Sequence, residues 1–255
     1  MNEVKVFWWV TAGIVILSIA CLTSTAIAQD NTSLQLWVDY HTHYFKSTQR
    51  EWYADAGVRM LPDDFSWGQF YARPSIRFHR RKAFDGHAGL GLFYTFNEDT
   101  SNILEVRPWQ GIKLRWPILK ALTYSHYFRL EERLSFSAGR GELALRFRYK
   151  LSTRITLKKA TGSKLLDPLF VPIGVEVFAD VGPKIDPLFG SRGRFDVGLG
   201  YIFGDNWVGE CHLIIQASRS GIEEQLDTTE YILRFQLKRL LASRDYRRES
   251  LDMPE

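Results

Sequence analysis

Residues 127–136 read YFRLEERLSF, and the alternation in this stretch constrains the fold more than any other feature of the chain. Successive side chains of a β-strand point to opposite faces. As a strand, the stretch places Phe128, Leu130, Leu134 and Phe136 on one face with Glu132, and Arg129, Glu131 and Arg133 on the other. One face is therefore apolar and the other is charged. The apolar face meets either a protein core or lipid.

The same period of two recurs along the rest of the chain, and no sustained helical pattern is found after residue 28. Strands are predicted at residues 34–45, 50–60, 68–79, 87–96, 102–115, 123–137, 141–157, 170–180, 192–203, 206–217 and 228–239. Soluble proteins favour strands of about five or six residues. A bilayer requires about nine to eleven tilted residues, which most of these segments provide.

This pattern predicts an all-β fold, namely a single antiparallel up-and-down transmembrane β-barrel. Because single-chain bacterial barrels have even strand numbers, the eleven segments predict about 12 strands, with 10 and 14 as alternatives. The segment 141–157 is long enough to contain a bend, and the connection after it is long enough to carry a further short strand. A soluble periplasmic β-sandwich that binds a ligand shows the same alternation and remains the alternative architecture.

The first 28 residues predict a signal peptide, because Lys5 precedes an apolar run over 6–22 and Ala26-Ile27-Ala28 forms a small-x-small cleavage site. The expected organisation is a signal peptide at 1–28, an outer-membrane barrel at 29–240 and a polar tail at 241–255. A retained membrane anchor and lipid attachment at Cys21 are the alternatives. Cleavage leaves Cys211 alone, so no intramolecular disulfide forms.

The expected location is the bacterial outer membrane, and the expected partners are outer-membrane lipids and the barrel-assembly machinery. Nucleic acid is not an expected partner, since the net charge of +4 is spread along the chain without a basic run. Trp and Tyr near strand ends predict aromatic girdles at the two membrane interfaces. These residues are Trp37, Trp52, Tyr53, Trp67, Tyr94, Trp116, Tyr124, Tyr201, Trp207 and Tyr231.

If the apolar face meets lipid, the charged face lines the lumen, where charges must be paired. The predicted lumen charge cluster consists of Glu105, Arg107, Arg129, Glu131, Arg133, Arg146, Arg148, Glu176, Arg194 and Asp196, with Asp180 as a further pairing candidate. Such a network either fills the barrel as structure or lines a narrow channel for small polar solutes. Glu132 lies on the apolar face, so we expect it near a rim, beside a neutralising neighbour or at a bulge.

Several of these charged residues also carry a family resemblance. The blocks Glu105-Val106-Arg107-Pro108-Trp109-Gln110 and Ser125 to Arg133 (SHYFRLEER), followed by Phe147-Arg148-Tyr149, resemble the E-x-R-P-W-Q and H-x-x-R-L-E-x-R blocks of domain-of-unknown-function family 2490. Residues 194–201 (RFDVGLGY) are similar to its late strand. The resemblance implies an outer-membrane β-barrel and supplies no reaction.

A catalytic site is not evident in the sequence. An outer-membrane lipid acyl-hydrolase or acyltransferase needs a Ser and a His on one wall, but Ser125 and His126 are adjacent and therefore point to opposite faces. Asp39, His41 and His43 share a face, yet no further metal ligand is identifiable, so neither a metal nor a cofactor is predicted. The leading functional hypothesis is a non-enzymatic barrel, either a structural envelope component or a narrow channel.

Overall fold

The computed structural model describes residues 32–47, 49–63, 65–81, 83–98, 100–116, 122–163, 166–181, 190–204, 206–219 and 228–241. The predicted signal peptide and, apart from Leu241, the predicted polar tail lie outside the described residues. No helix in the described ranges is both long enough and apolar enough to cross a membrane.

The described residues form eleven β-strands and one short helix. The strands are β1 (Thr32–Ser47), β2 (Arg50–Met60), β3 (Trp67–Arg81), β4 (Phe84–Asn97), β5 (Ile103–Arg115), β6 (Leu122–Ser137), β7 (Arg140–Thr156), β8 (Leu169–Val181), β9 (Gly190–Phe203), β10 (Trp207–Arg219) and β11 (Thr228–Leu241), and the helix is α1 (Leu157–Thr161). Each predicted segment coincides with one strand to within about three residues, because alternation marks strands reliably.

The strands form one closed barrel in which each strand pairs with its sequence neighbours and β1 lies beside β11. Every pair of consecutive strands is antiparallel. Since direction reverses at each step, β1 and β11 run the same way. Side-chain contacts between β1 and β11 support this parallel direction. In a parallel pair the sequence separation of contacting residues is constant, and it is 195 residues for each of Gln35–Glu230, Asp39–Arg234 and His41–Gln236.

The prediction of about 12 strands therefore exceeds the described barrel by one. The argument from even strand numbers fails because this barrel closes through a parallel seam. The segment 140–156 is one continuous strand rather than two, and α1 rather than a further strand follows it. The helix ends at Gly162, which caps it in the left-handed conformation with φ 75°.

The barrel has two rims, which we name rim A and rim B. At rim A the odd-numbered strands begin and the even-numbered strands end. At rim B the even-numbered strands begin and the odd-numbered strands end. An odd number of strands places the start of the first strand and the end of the last at opposite rims.

The barrel has its charged residues inside and its apolar residues outside. Glu51, Asp85 and Glu131 are at most 2% exposed, whereas Phe128 and Leu143 are about half exposed. In a water-soluble barrel the opposite distribution is expected, since charged residues are rarely buried and large apolar side chains are usually inside. The predicted division into an apolar and a charged face is thus found, with the apolar face on the outer wall.

Only some of the aromatic residues that were predicted to form girdles lie on the outer wall. Trp52 and Trp116 project outward near rim B and are 51% and 61% exposed. Trp37 and Trp67 instead face the interior and are buried, and Tyr53 contacts the ring of His41 inside the barrel. The prediction was wrong for these three because position near a strand end does not determine the face; their register does.

Glu132 lies on the outer wall without a bulge. It pairs in register with Leu145, and the β6–β7 ladder is regular on both sides of it. It is five residues from the end of β6, or about 16 Å along the strand. None of the three expected accommodations is found in the described part of the chain: Glu132 is not at a rim, it makes no ion pair and it marks no bulge. A carboxylate therefore interrupts the apolar wall.

Candidate functional site

The interior near rim A contains an ion triad centred on Glu105. The carboxylate accepts hydrogen bonds from Arg133 Nε at 2.5 Å and Nη2 at 3.3 Å, and from Arg107 Nη2 at 2.5 Å. Arg107 also lies over the ring of Phe93, 3.7 Å from its centroid. These three charged residues of β5 and β6 were all predicted in the lumen cluster.

A longer ion chain crosses the middle of the barrel from β6 to β9. Glu131 lies 3.0 Å from Arg129 Nε and accepts a hydrogen bond from Arg148 Nη1 at 2.7 Å. Arg148 also donates to Glu176 at 2.6 Å, and Glu176 lies 3.5 Å from Arg194. Register explains the chain, since Arg129 pairs with Arg148 across β6 and β7 and Glu176 pairs with Arg194 across β8 and β9.

The remaining predicted residues belong to two further groups. Arg146 and Asp180 form a two-point pair at 2.6 and 3.0 Å. Asp196 contacts His212 at 2.7 Å, which in turn contacts Glu210 at 2.9 Å. The structure thus places all ten predicted residues on the inner wall but distributes them over several groups rather than one cluster.

The prediction missed the charges on β1–β4 and β11. Asp39 accepts hydrogen bonds from Tyr71 Oη at 2.5 Å and from Arg234 across the parallel seam. Asp55 pairs with Arg73 on the adjacent strand. The same period-two pattern runs through these strands, so alternation could have placed these residues on the inner wall.

Several buried side chains occupy the half of the interior near rim A. Trp37, Ile214 and Ile232 form a buried apolar cluster. Beside it, the Glu230 carboxylate accepts hydrogen bonds from Gln35 at 3.2 Å and from Gln216, and is fully buried. Aromatic, aliphatic and hydrogen-bonded polar groups therefore narrow this half of the lumen, and the Asp180 side chain at the same end is 46% exposed.

The half near rim B instead contains a polar cavity of about 220 Å³, which extends from Trp37 in mid-barrel to Leu240 at the rim. The described residues that line it include twelve Lys or Arg and six Asp or Glu. On one side an apolar group of Phe170, Val208 and Leu240 narrows it, and Arg154 stacks over the Phe170 ring at 3.4 Å. The cavity is therefore predominantly basic.

The residues considered for catalysis and metal binding have other partners. Ser125 is buried and shares a hydrogen bond of 2.8 Å with Ser152, whereas His126 contacts Tyr149 Oη at 2.9 Å and lies on the other face, as predicted. His43 Nδ1 lies 2.6 Å from Glu51. Within the described ranges, no group of three or more His, Cys, Asp or Glu could hold a metal ion.

Taken together, the topology and the charge distribution define a closed β-barrel with an apolar outer wall and an ion-paired interior. The family model described as Protein of unknown function (DUF2490) matches residues 34–225, which contain β1 to β10 except the first two residues of β1, and the chain belongs to this family. A comparison with curated proteins finds no match. Trp109 and Arg129, which line the cavity, both lie in the sequence blocks that resemble this family.

Proposed function

We propose that the protein is an integral outer-membrane β-barrel with a closed lumen, and that it serves as a structural component of the envelope. The observation that carries this proposal is the reversed distribution of residues, with apolar side chains outside and ion pairs inside. Contiguous exposed apolar surface of this extent needs an apolar partner. Because the apolar wall encircles the barrel, a lipid bilayer is a partner that covers all of it.

The paired interior supports the closed lumen. Buried charges inside the barrel must be paired with opposite charges. Bidentate Arg–carboxylate pairs between adjacent strands, such as Arg133–Glu105 and Arg146–Asp180, provide this pairing. The narrowed half near rim A, with Gln35, Glu230 and the Trp37 cluster, leaves little room for solute passage. A blocked barrel therefore fits the geometry better than the narrow channel.

The β-sandwich and the acyl-hydrolase have less support. A β-sandwich has two packed sheets with an apolar layer between them, whereas this sheet closes on itself around charges. An acyl-hydrolase needs a nucleophile and base on one wall, and Ser125 and His126 lie on opposite faces.

We further propose that the chain is exported through the predicted signal peptide, that the barrel-assembly machinery inserts it, and that outer-membrane lipids are its first partners. The test is fractionation of the expressed protein, followed by gel electrophoresis of detergent extracts with and without heating. Outer-membrane recovery and a heat-dependent change in mobility are expected. Release into the soluble periplasm, without a mobility change, would refute the proposal.

A further inference from the structure

One wall of the rim B cavity carries buried nitrogen atoms that make no hydrogen bond within the described part of the chain. We name His87, Trp109 and Arg129, from β4, β5 and β6, the donor patch. In register, His87 lies opposite Gly111, and Gly111 lies opposite Arg129. Gly111 has no side chain, so the ring of Tyr127 lies over it, and this ring also contacts His87 at a centroid distance of 5.2 Å.

The polar atoms of the donor patch are buried and lack hydrogen-bond partners in the described part of the chain. They are Nε2 of His87, Nε1 of Trp109, and Nε and Nη2 of Arg129. Arg129 Nε is within ion-pair distance of Glu131 but forms no hydrogen bond to it. The three residues are 8%, 6% and 8% exposed, and all of them line the cavity. Buried polar groups in proteins nearly always have a partner, so several unpaired donors on one cavity wall indicate a bound group.

The chemistry of these atoms restricts what that group is. An indole N–H and a guanidinium donate hydrogen bonds and accept none, so the ligand must supply acceptors. The guanidinium stacks on the Trp109 ring, 4.0 Å from its centroid, which holds its donors in a defined plane. A planar fork of this kind suits the oxygen atoms of a carboxylate or a phosphate.

The surrounding charge favours an anion. Glu131 is the carboxylate nearest Arg129, but it also accepts the 2.7 Å hydrogen bond from Arg148. Lys150 lies in register with Tyr127 on one side and with Glu176 on the other, and Glu176 already accepts hydrogen bonds from Arg148. A cavity with twice as many basic as acidic lining residues attracts anions and not cations.

We propose that the donor patch is a binding site for a small oxyanion, a carboxylate or a phosphate group, which enters the cavity from rim B. Trp109 Nε1 and Arg129 Nη2 donate to its oxygen atoms, and Lys150 contributes charge from the neighbouring row. This site does not depend on where the protein resides, so its test is separate from the test of the proposed membrane location.

The test is calorimetric titration of the full chain, folded in a non-ionic detergent, with sodium phosphate, sodium acetate and choline chloride at constant ionic strength. Trp109→Phe removes one donor and keeps an aromatic ring, and Arg129→Lys keeps the charge and removes the fork. Trp67→Phe and Arg133→Lys are the matched controls, because they make the same changes at buried positions that do not line the cavity.

Saturable binding of phosphate, acetate or both is expected at millimolar concentrations, with no binding of choline. Each donor-patch variant should weaken it about tenfold or more, as loss of a hydrogen bond to a charged group does, while the controls bind like the wild type. Binding of phosphate alone assigns the site to phosphate groups, and binding of acetate alone assigns it to carboxylates.

Absence of saturable binding for both anions, or unchanged binding in the donor-patch variants, would overturn the proposal and leave water as the partner of these donors. A cooperative thermal transition followed by circular dichroism confirms the fold of each variant before titration, so this control does not depend on the membrane location. If Arg129→Lys does not fold, Trp109→Phe decides the question, since it alters no ion pair.

Discussion

The adjacent residues Glu131 and Glu132 test whether the outer wall of the barrel meets lipid or water. Glu131 points inward and Glu132 points outward. Glu131→Gln removes a buried negative charge from two arginines. Arg148 keeps Glu176 at 2.6 Å, whereas Arg129 loses its ion pair. Breaking a buried pair costs about 3–5 kcal/mol, and the partial compensation at Arg148 places the expected loss near the lower limit, about 3 kcal/mol. This corresponds to more than about a hundredfold change in the folding equilibrium.

Glu132→Gln makes the same chemical change one residue further along the strand. If the outer wall meets lipid, removal of a charge from it should stabilise the barrel by about 1 kcal/mol. If the wall meets water, the change should lie within about 0.5 kcal/mol. The assay is urea unfolding of the protein in lipid vesicles, followed by gel mobility. Equal midpoints for both variants, or a larger loss for Glu132→Gln, would refute the assignment of the faces.

Three further predictions test the wall, the packing and the lumen. Phe147→Arg places a charge in the middle of the outer wall and should cost about 2–4 kcal/mol in lipid vesicles. Phe136→Arg makes the same change on the outer wall one residue from the end of β6 at rim A and should cost about 1 kcal/mol or less; equal unfolding midpoints would contradict a lipid-facing wall. Gly200→Ala should destabilise the detergent-folded barrel by about 1–3 kcal/mol, because the Phe170 ring occupies the position of the new methyl group. Gly86→Ala is the control: its methyl group meets open space, so the substitution should be neutral. Thermal unfolding of both variants measures the difference. In planar bilayers, the wild-type protein should show no steady conductance, because buried side chains narrow the half near rim A; stable open-channel steps would count against the closed lumen.

Local sequence predicted most of the fold. Alternation with period two is a property of each strand alone, so all eleven strands and the division of each into two faces, including the Arg129–Glu131–Arg133 series, were accessible without the structure. The same reasoning identified ten interior charges. It missed the partners on β1–β4 and the donor patch, because a hydrogen bond between strands depends on register and on rotamers that the sequence does not display.

Tertiary structure decided how the barrel closes and what its interior contains. The parallel seam between β1 and β11 brings together residues 195 positions apart, such as Asp39 and Arg234, and no local pattern encodes that pairing. Packing also determined that the half near rim A is narrowed while the half near rim B retains a cavity, since that difference depends on how side chains from many strands share one volume. Alternation therefore determined which side chains share a face, whereas closure of the barrel determined which face is inward and which of its side chains meet.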